Sequence, residues 1–325
     1  EWSPARQCQL WTLAEGRWQA QRQTVQHRIT HNGDFEAFHI DGANIDVTAL
    51  GQWLERALHR DAPAVVDSAR IAGMMDLLIA QGDWFAAVRW AFLRTLVDFP
   101  RTPSAAELEH WARRFELVFE EHCRDQADQP VLPDGAWIRD LRERILRFIG
   151  SDPLLRAHGR QRLRGWIDMA IDAFLRHDPR WAVLHFMERA RGSFGLVVVS
   201  TTWADRLVLS SLGQPITIGV DPDARLALYA SEAAAVDAVL APVAGAWRID
   251  LDQNAGEIAV LSSKDLRISS LSLERDLTPA ETLRRRHPYG DPRRPGAGAT
   301  CFIPLPPQPR DPVAADLAGI PALLC

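Results

Sequence analysis

The sequence predicts an α+β protein built on antiparallel sheet, with an all-helical block inserted between its two halves. Three observations predict it. Apolar residues recur at helical spacing from Leu50 until Phe99-Pro100, helices alone follow between 102 and about 180, and from Gly195 the apolar period drops to two or to short buried runs. Those short runs succeed one another through turn residues without intervening helices, which favours hairpin-linked antiparallel strands over βαβ repeats.

Taken in order, residues 1–25 are polar with scattered Trp2, Leu10, Trp11, Leu13 and Trp18, and only part of them is expected to be regular. An extended run over 26–30 is expected to end at His31-Asn32-Gly33, because Asn and Gly both accept positive φ and the pair signals a turn. Asp46-Val47-Thr48 offers caps for a helix to about Arg60, with Leu50, Trp53, Leu54, Ala57 and Leu58 on one face. Asp67 or Ser68 caps the next helix, which carries Ile71, Met74, Met75, Leu78 and Ile79 and closes at Gly82. Another runs from Trp84 until Phe99-Pro100.

Within the helical block, Leu108, Trp111, Phe115, Val118 and Phe119 form one stripe, Trp137, Ile138, Leu141, Ile145, Phe148 and Ile149 a second, and Trp166, Ile167, Ala170, Ile171 and Phe174 a third. Breaks at 130–135 and 150–153 separate them. The block is expected to form a small bundle of its own, serving either as packed scaffold or as a docking surface for an acceptor domain or partner. Strands are expected at 196–200, 206–210, 216–220 and 226–230, then a helix from Ser231 to Leu240, then strands at 247–251, 258–261 and 266–271. Beyond Asp276 the chain turns rich in Pro, Arg and Gly and reads as an extended linker. There Arg284, Arg285, Arg286, Arg293 and Arg294 either keep the segment solvated or face a phosphate. The expected divisions are therefore 1–101, 102–180, 181–275 and 276–325.

With 325 residues, 47% of them hydrophobic, the chain can bury a sizeable core and has room for more than one domain. A formal net charge of -5 without a strongly basic or acidic half disfavours nucleic acid as a partner. No apolar run is long enough to span a bilayer, so no membrane partner is expected. The four cysteines, Cys8, Cys123, Cys301 and Cys325, are far apart and lack metal-ligand spacing. They read as reduced thiols of a cytoplasmic protein, and no metal or other cofactor is expected. Starting at Glu1 without an initiator Met, the chain reads as a portion of something longer. Oligomeric state is left open.

Three stretches carry a family resemblance. They are Arg28-Ile-Thr-His-Asn-Gly-Asp-Phe-Glu-Ala-Phe38, then Asp67-Ser68-Ala69, then the run from Ala190 to Val236 with its Gly-Ser-Phe-Gly strand, its Gln-Pro-Ile-Thr-Ile-Gly turn and its Tyr-Ala-Ser-Glu-Ala helix start. Together, in this order, they resemble the class II glutamine amidotransferase domain, an N-terminal-nucleophile hydrolase, and most of all the glutaminase half of glucosamine-6-phosphate synthase. The resemblance covers roughly residues 22–95 and 184–262. It implies an α-β-β-α sandwich that hydrolyses L-glutamine to glutamate and supplies ammonia to an acceptor domain, in the same polypeptide or on a partner subunit.

The resemblance also implies site residues. Asn32 and Gly33 match the oxyanion-hole pair, which would donate from the Asn side chain and the Gly N–H to the developing negative oxygen. Asp67 matches the acid that pairs with the substrate ammonium; its bland reading as a helix cap is compatible with that role. His31 is expected to be structural, its side chain opposite to that of Asn32 on a strand. In the family the nucleophile is an N-terminal Cys thiol whose own α-amino group is the base. That Cys-Gly segment and the Arg motif holding the substrate carboxylate both precede the His-Asn-Gly stretch, whereas Cys8 sits in Arg-Gln-Cys-Gln-Leu, which does not match. The chain alone is therefore not expected to turn over glutamine. Two other readings stay open: an inactive amidotransferase-like binding or scaffolding module, and an unrelated α+β enzyme whose Asn-Gly is an ordinary hairpin.

Overall fold

The first 25 residues are more regular than expected. The structure, a computed structural model, describes residues 3, 5–40, 43–58, 67–95, 103–125 and 133–289. Strands β1 (Arg6–Ala14) and β2 (Arg17–Val25) form a full antiparallel hairpin, closed at Glu15 and Gly16 with φ of 53° and 74°. Two consecutive left-handed residues make the turn whose twist matches that of the flanking strands. The chain then runs through β3 (His27–Ile40) and β4 (Ala43–Asp46) into helices α1 (Val47–Leu58), α2 (Asp67–Leu78) and α3 (Trp84–Thr95).

The helical block follows as α4 (Ala105–Arg124), α5 (Gly135–Ile149), the short α6 (Pro153–Arg156), α7 (Arg160–Arg176) and α8 (Pro179–Arg189). Local chemistry sets its boundaries. Ser104 and Glu107 make a reciprocal capping box at α4, Asp134 accepts from the Ala136 and Trp137 amides at α5, and Asp178 precedes the Pro179 that opens α8. Beyond it come β5 (Ala190–Ser200), β6 (Arg206–Leu212), β7 (Thr217–Asp221), β8 (Leu226–Ala230), α9 (Ala233–Leu240), β9 (Trp247–Asp250), β10 (Glu257–Ser262), β11 (Leu266–Ser270), β12 (Arg275–Asp276), α10 (Pro279–Arg284) and β13 (His287–Pro288).

Every named strand pair is antiparallel, as the fold class requires. The chain divides into two compact units. Of the described residues, the first takes those up to 216 and 251–282, the second 217–250 and 283–289. In the first unit a seven-stranded sheet runs β12-β11-β10-β6-β5-β3-β4, beside the separate β1-β2 hairpin. In the second, a four-stranded sheet runs β13-β9-β7-β8, with Val236 and Leu240 of α9 buried beside Ala246.

Helices of the 102–180 block do not keep a core to themselves. Trp84 of α3 stacks on Phe174 of α7 with ring centroids 4.0 Å apart, and Phe119 of α4 lies against Trp84, Phe174, Trp11 of β1 and Trp18 of β2. One continuous apolar cluster holds these rings together with Ile29, Phe35 and Phe38 of β3. Nor is the segment after Asp276 extended throughout. Arg285 donates to the Asp250 carbonyl at 2.6 Å, the Arg286 guanidinium lies 4.0 Å from the centre of the Trp247 ring, and the Tyr289 amide donates to the Ala246 carbonyl. Arg293, Arg294, Cys301 and Cys325 lie outside the described residues.

Candidate functional site

The His31-Asn32-Gly33 stretch is not a turn. It lies inside β3, which runs on to Ile40, and pairs with β5 as His31 with Leu196, Asn32 with Gly195 and Gly33 with Phe194. Pairing with β5 and the buried odd positions hold the strand straight through the Asn-Gly pair. The turn signal survives only as local distortion: Gly33 has a φ of +110°, a conformation that L side chains rarely adopt. A Cβ there would lie 2.0 Å from the Ser193 carbonyl oxygen and 2.7 Å from Gln214 Cγ.

Alternation along β3 sorts its side chains. Ile29 and Phe35 are buried, the His31 side chain is 3% exposed, and Arg28, Thr30, Asn32, Asp34 and Glu36 are exposed. His31 and Asn32 therefore point to opposite faces, as expected. A bulge between Phe35 and Ala37 shifts the phase, so that Phe38 is the next buried residue. On its second edge β3 meets β4 only from Ala37 onward; among the described residues no named strand pairs with that edge over 31–36. Asn32 and Gly33 thus sit where a central strand has one side left unladdered.

The two separated motifs meet at His31. Its Nδ1 lies 3.3 Å from Ser68 Oγ and 3.8 Å from Asp67 Oδ2, at the start of α2. Burial pushes the His31 imidazole below its ordinary pKa against the opposing charges of Asp67 and Asp34, so at neutral pH it is an uncharged hydrogen-bonding post. Asp67 accepts from the Ser68 amide at 2.7 Å, and its side chain is 29% exposed. The carboxylate is accordingly held in place yet reachable.

Asn32 has a partner that sequence reading did not single out. Its Nδ2 donates to Gln214 Oε1 at 3.3 Å, and Gln214 Nε2 donates to Ser193 Oγ at 3.2 Å. The only available signal was that Gln214 opens the Gln-Pro-Ile-Thr-Ile-Gly run quoted above; spacing along the chain gives no hint of its reach across β5.

A second polar cluster was also missed, because its members lie far apart in sequence. Arg6 of β1 pairs with Asp83 through Nη1 and with Asp76 of α2 through Nε at 3.3 Å. Arg89 of α3 lies 3.7 Å from Asp76, and His27 Nε2 3.9 Å from it. All five side chains are buried. Burial lowers the His27 pKa to about 4, leaving two arginines facing two aspartates. Beside the cluster, a cleft of about 580 Å³ lined by Arg6, Cys8, Arg22, Asp83, Trp84 and Glu116 takes no lining residue from β3, β5 or the start of α2.

Neither described cysteine is poised as a nucleophile. Burial, reinforced by the Asp83 charge, pushes the Cys8 thiol up to about 12, and burial raises Cys123 to about 12. Among the described residues no group of His, Cys, Asp and Glu is arranged to hold a metal, and no helix is long and apolar enough to cross a membrane. Compared with protein-family models and with curated proteins, the chain matches none.

Proposed function

We propose that this chain is the bulk of a class II glutamine amidotransferase domain, hydrolysing glutamine to glutamate and supplying ammonia to an acceptor domain. One observation carries the reading. His31, the residue before Asn32-Gly33, contacts Asp67 and Ser68, which sets the start of α2 against the His-Asn-Gly stretch on the face of β3 opposite to the Asn32 side chain. The α-β-β-α sandwich belongs to the same proposal, and the antiparallel sheets support it.

In this reading the Asn32 amide and the Gly33 N–H receive the negative charge that develops on the carboxamide oxygen during attack. Donors already fixed in place act without reorganisation, and losing one typically lowers kcat about 10²–10³-fold. Asp67 pairs with the substrate ammonium and so selects an amino acid over a simple amide. The attacking group is the family's N-terminal thiol, with the α-amino group, whose ordinary pKa is about 7.7–8.0, as base. It has to come from outside the described residues, since Cys8 and Cys123 are held as neutral thiols.

Glutamate release by the full-length polypeptide tests the proposal. Asn32→Ala should lower kcat about 10²–10³-fold, while circular dichroism stays unchanged because the side chain is exposed. Wild-type turnover in that variant would remove the oxyanion role. The neutral cysteines favour a second reading, a binding or scaffolding module without catalysis. Absence of glutaminase activity in the full-length protein, with glutamine still bound, would select it.

A further inference from the structure

We infer that Gln214 is the positioning residue that orients the Asn32 amide, and that Ser193 anchors the far end of the Gln214 side chain. This rests on the glutaminase reading and goes beyond it, since no part of the resemblance assigns either residue. Asn32 pairs across the strands with Gly195, which has no side chain to hold it in place. The room above Gly195 is taken from the loop after β6, where Ile216 Cδ1 would lie 3.0 Å from a Cβ at that position. Gln214 comes from the same loop.

Its backbone is well fixed. The Gln214 carbonyl accepts from Ser211 Oγ at 2.6 Å, the Gly213 amide donates to the Gln253 carbonyl at 2.8 Å, and Pro215 restricts Gln214 to extended conformations. From there the side chain lies between two polar partners, with Oε1 towards Asn32 and Nε2 towards Ser193. An amide has one acceptor end and one donor end. With Nε2 on Ser193 Oγ, the oxygen faces Asn32 and takes one of the two Asn32 Nδ2 protons. The plane of the Asn32 amide is then set, and its second proton is left to aim at a carboxamide oxygen of the substrate.

Near-isosteric substitutions separate this role from simple packing. In the full-length enzyme, Gln214→Ala should lower kcat about tenfold and leave the glutamine KM within about twofold, because the amide loses its orientation and the binding groups stay. Gln214→Glu keeps an acceptor but sets a negative charge against the amide that must stabilise an anion, so its kcat should fall about 100-fold, below that of the alanine variant. Ser193→Ala should produce a smaller kcat loss, because Gln214 then loses one of its two side-chain partners.

A rise in KM with kcat unchanged would overturn the assignment, as would equal losses in the Ala and Glu variants accompanied by a lower Tm. The chain itself gives a readout that needs no turnover. In 15N-labelled protein Gln214→Ala should shift the resonance of one of the two Asn32 side-chain amide protons. Unchanged Asn32 amide resonances overturn the positioning role even where wild-type activity is normal. Should the full-length protein show no glutaminase activity, the functional reading falls separately, and those resonances still decide the geometry.

Discussion

At the scale of single residues, Asp67 is where a structural duty coincides with the proposed chemical one. Its carboxylate already accepts from the Ser68 amide, yet its side chain stays partly exposed. Asp67→Asn keeps an acceptor for that amide and removes the charge offered to an ammonium group. A hydrogen bond to a charged partner is worth roughly 1.5–3 kcal/mol, so under the proposed glutaminase function the glutamine KM of the full-length protein should rise about tenfold or more with the Tm little changed. An unchanged KM would leave Asp67 as local helix structure only. Gly33 shows how far a two-residue signal can be trusted. Asn-Gly correctly marks a backbone that leaves the ordinary L region, but pairing with β5 and burial of Ile29 and Phe35 decide that the strand continues. Long-range pairing of that kind leaves no trace in the local sequence.

Among the elements, the β1-β2 hairpin depends most on distant partners. The Trp11 amide donates to the Gly82 carbonyl, a Cβ at Gly82 would lie 2.2 Å from the Trp11 carbonyl oxygen, and Arg6 enters the buried charge cluster. Replacing one member of a buried ion pair leaves its partner desolvated, at a cost of about 3–5 kcal/mol. In Arg6→Met, Asp76 retains Arg89, whereas Asp83 loses its ion-pair partner. Urea unfolding should therefore show a loss of that size, and a loss below about 1 kcal/mol would mean that water enters and screens the site. The hairpin escaped sequence reading because its turn is Glu-Gly, with Glu15 in a left-handed conformation usually given to Asn or Asp. By contrast, α1, α2, α3 and the strands from β5 to β11 were legible, since apolar period and caps agree there. Helix α8 was not separated in advance. Its apolar residues join the sheet side of the core, a partnership that helical spacing alone does not specify.

For the molecule as a whole, buried uncharged histidines tie stability to pH. Burial lowers His27 to about 4 and His185 to about 3, and lowers His31, His122 and His177 as well. The unfolded chain takes up these protons near pH 6.5, the folded one only at lower pH. Stability is thus fully present above about pH 6.5 and declines as pH falls towards 4. The His27 gap alone corresponds to roughly 3 kcal/mol. Urea unfolding at several pH values between 7.5 and 4.5 should show this decline, and a flat profile would mean that the imidazoles are hydrated in the fold. The shared aromatic core is also a property of the whole. The stripes of α4, α5 and α7 were readable, but not that they would face Trp84 and the hairpin instead of only one another.

The bulge in β3 has a consequence for how this protein tolerates change. Before it, core-forming positions are odd and solvent-facing ones even; after Ala37 the parity reverses at Phe38. A saturation library across this strand should therefore read as a two-beat rhythm of intolerant and permissive sites that slips by one beat at the bulge. Asn32 falls on a permissive beat. Solvent-facing and core-forming positions are thus interleaved along one strand, so the outer surface of β3 can diversify while the core beneath it stands still.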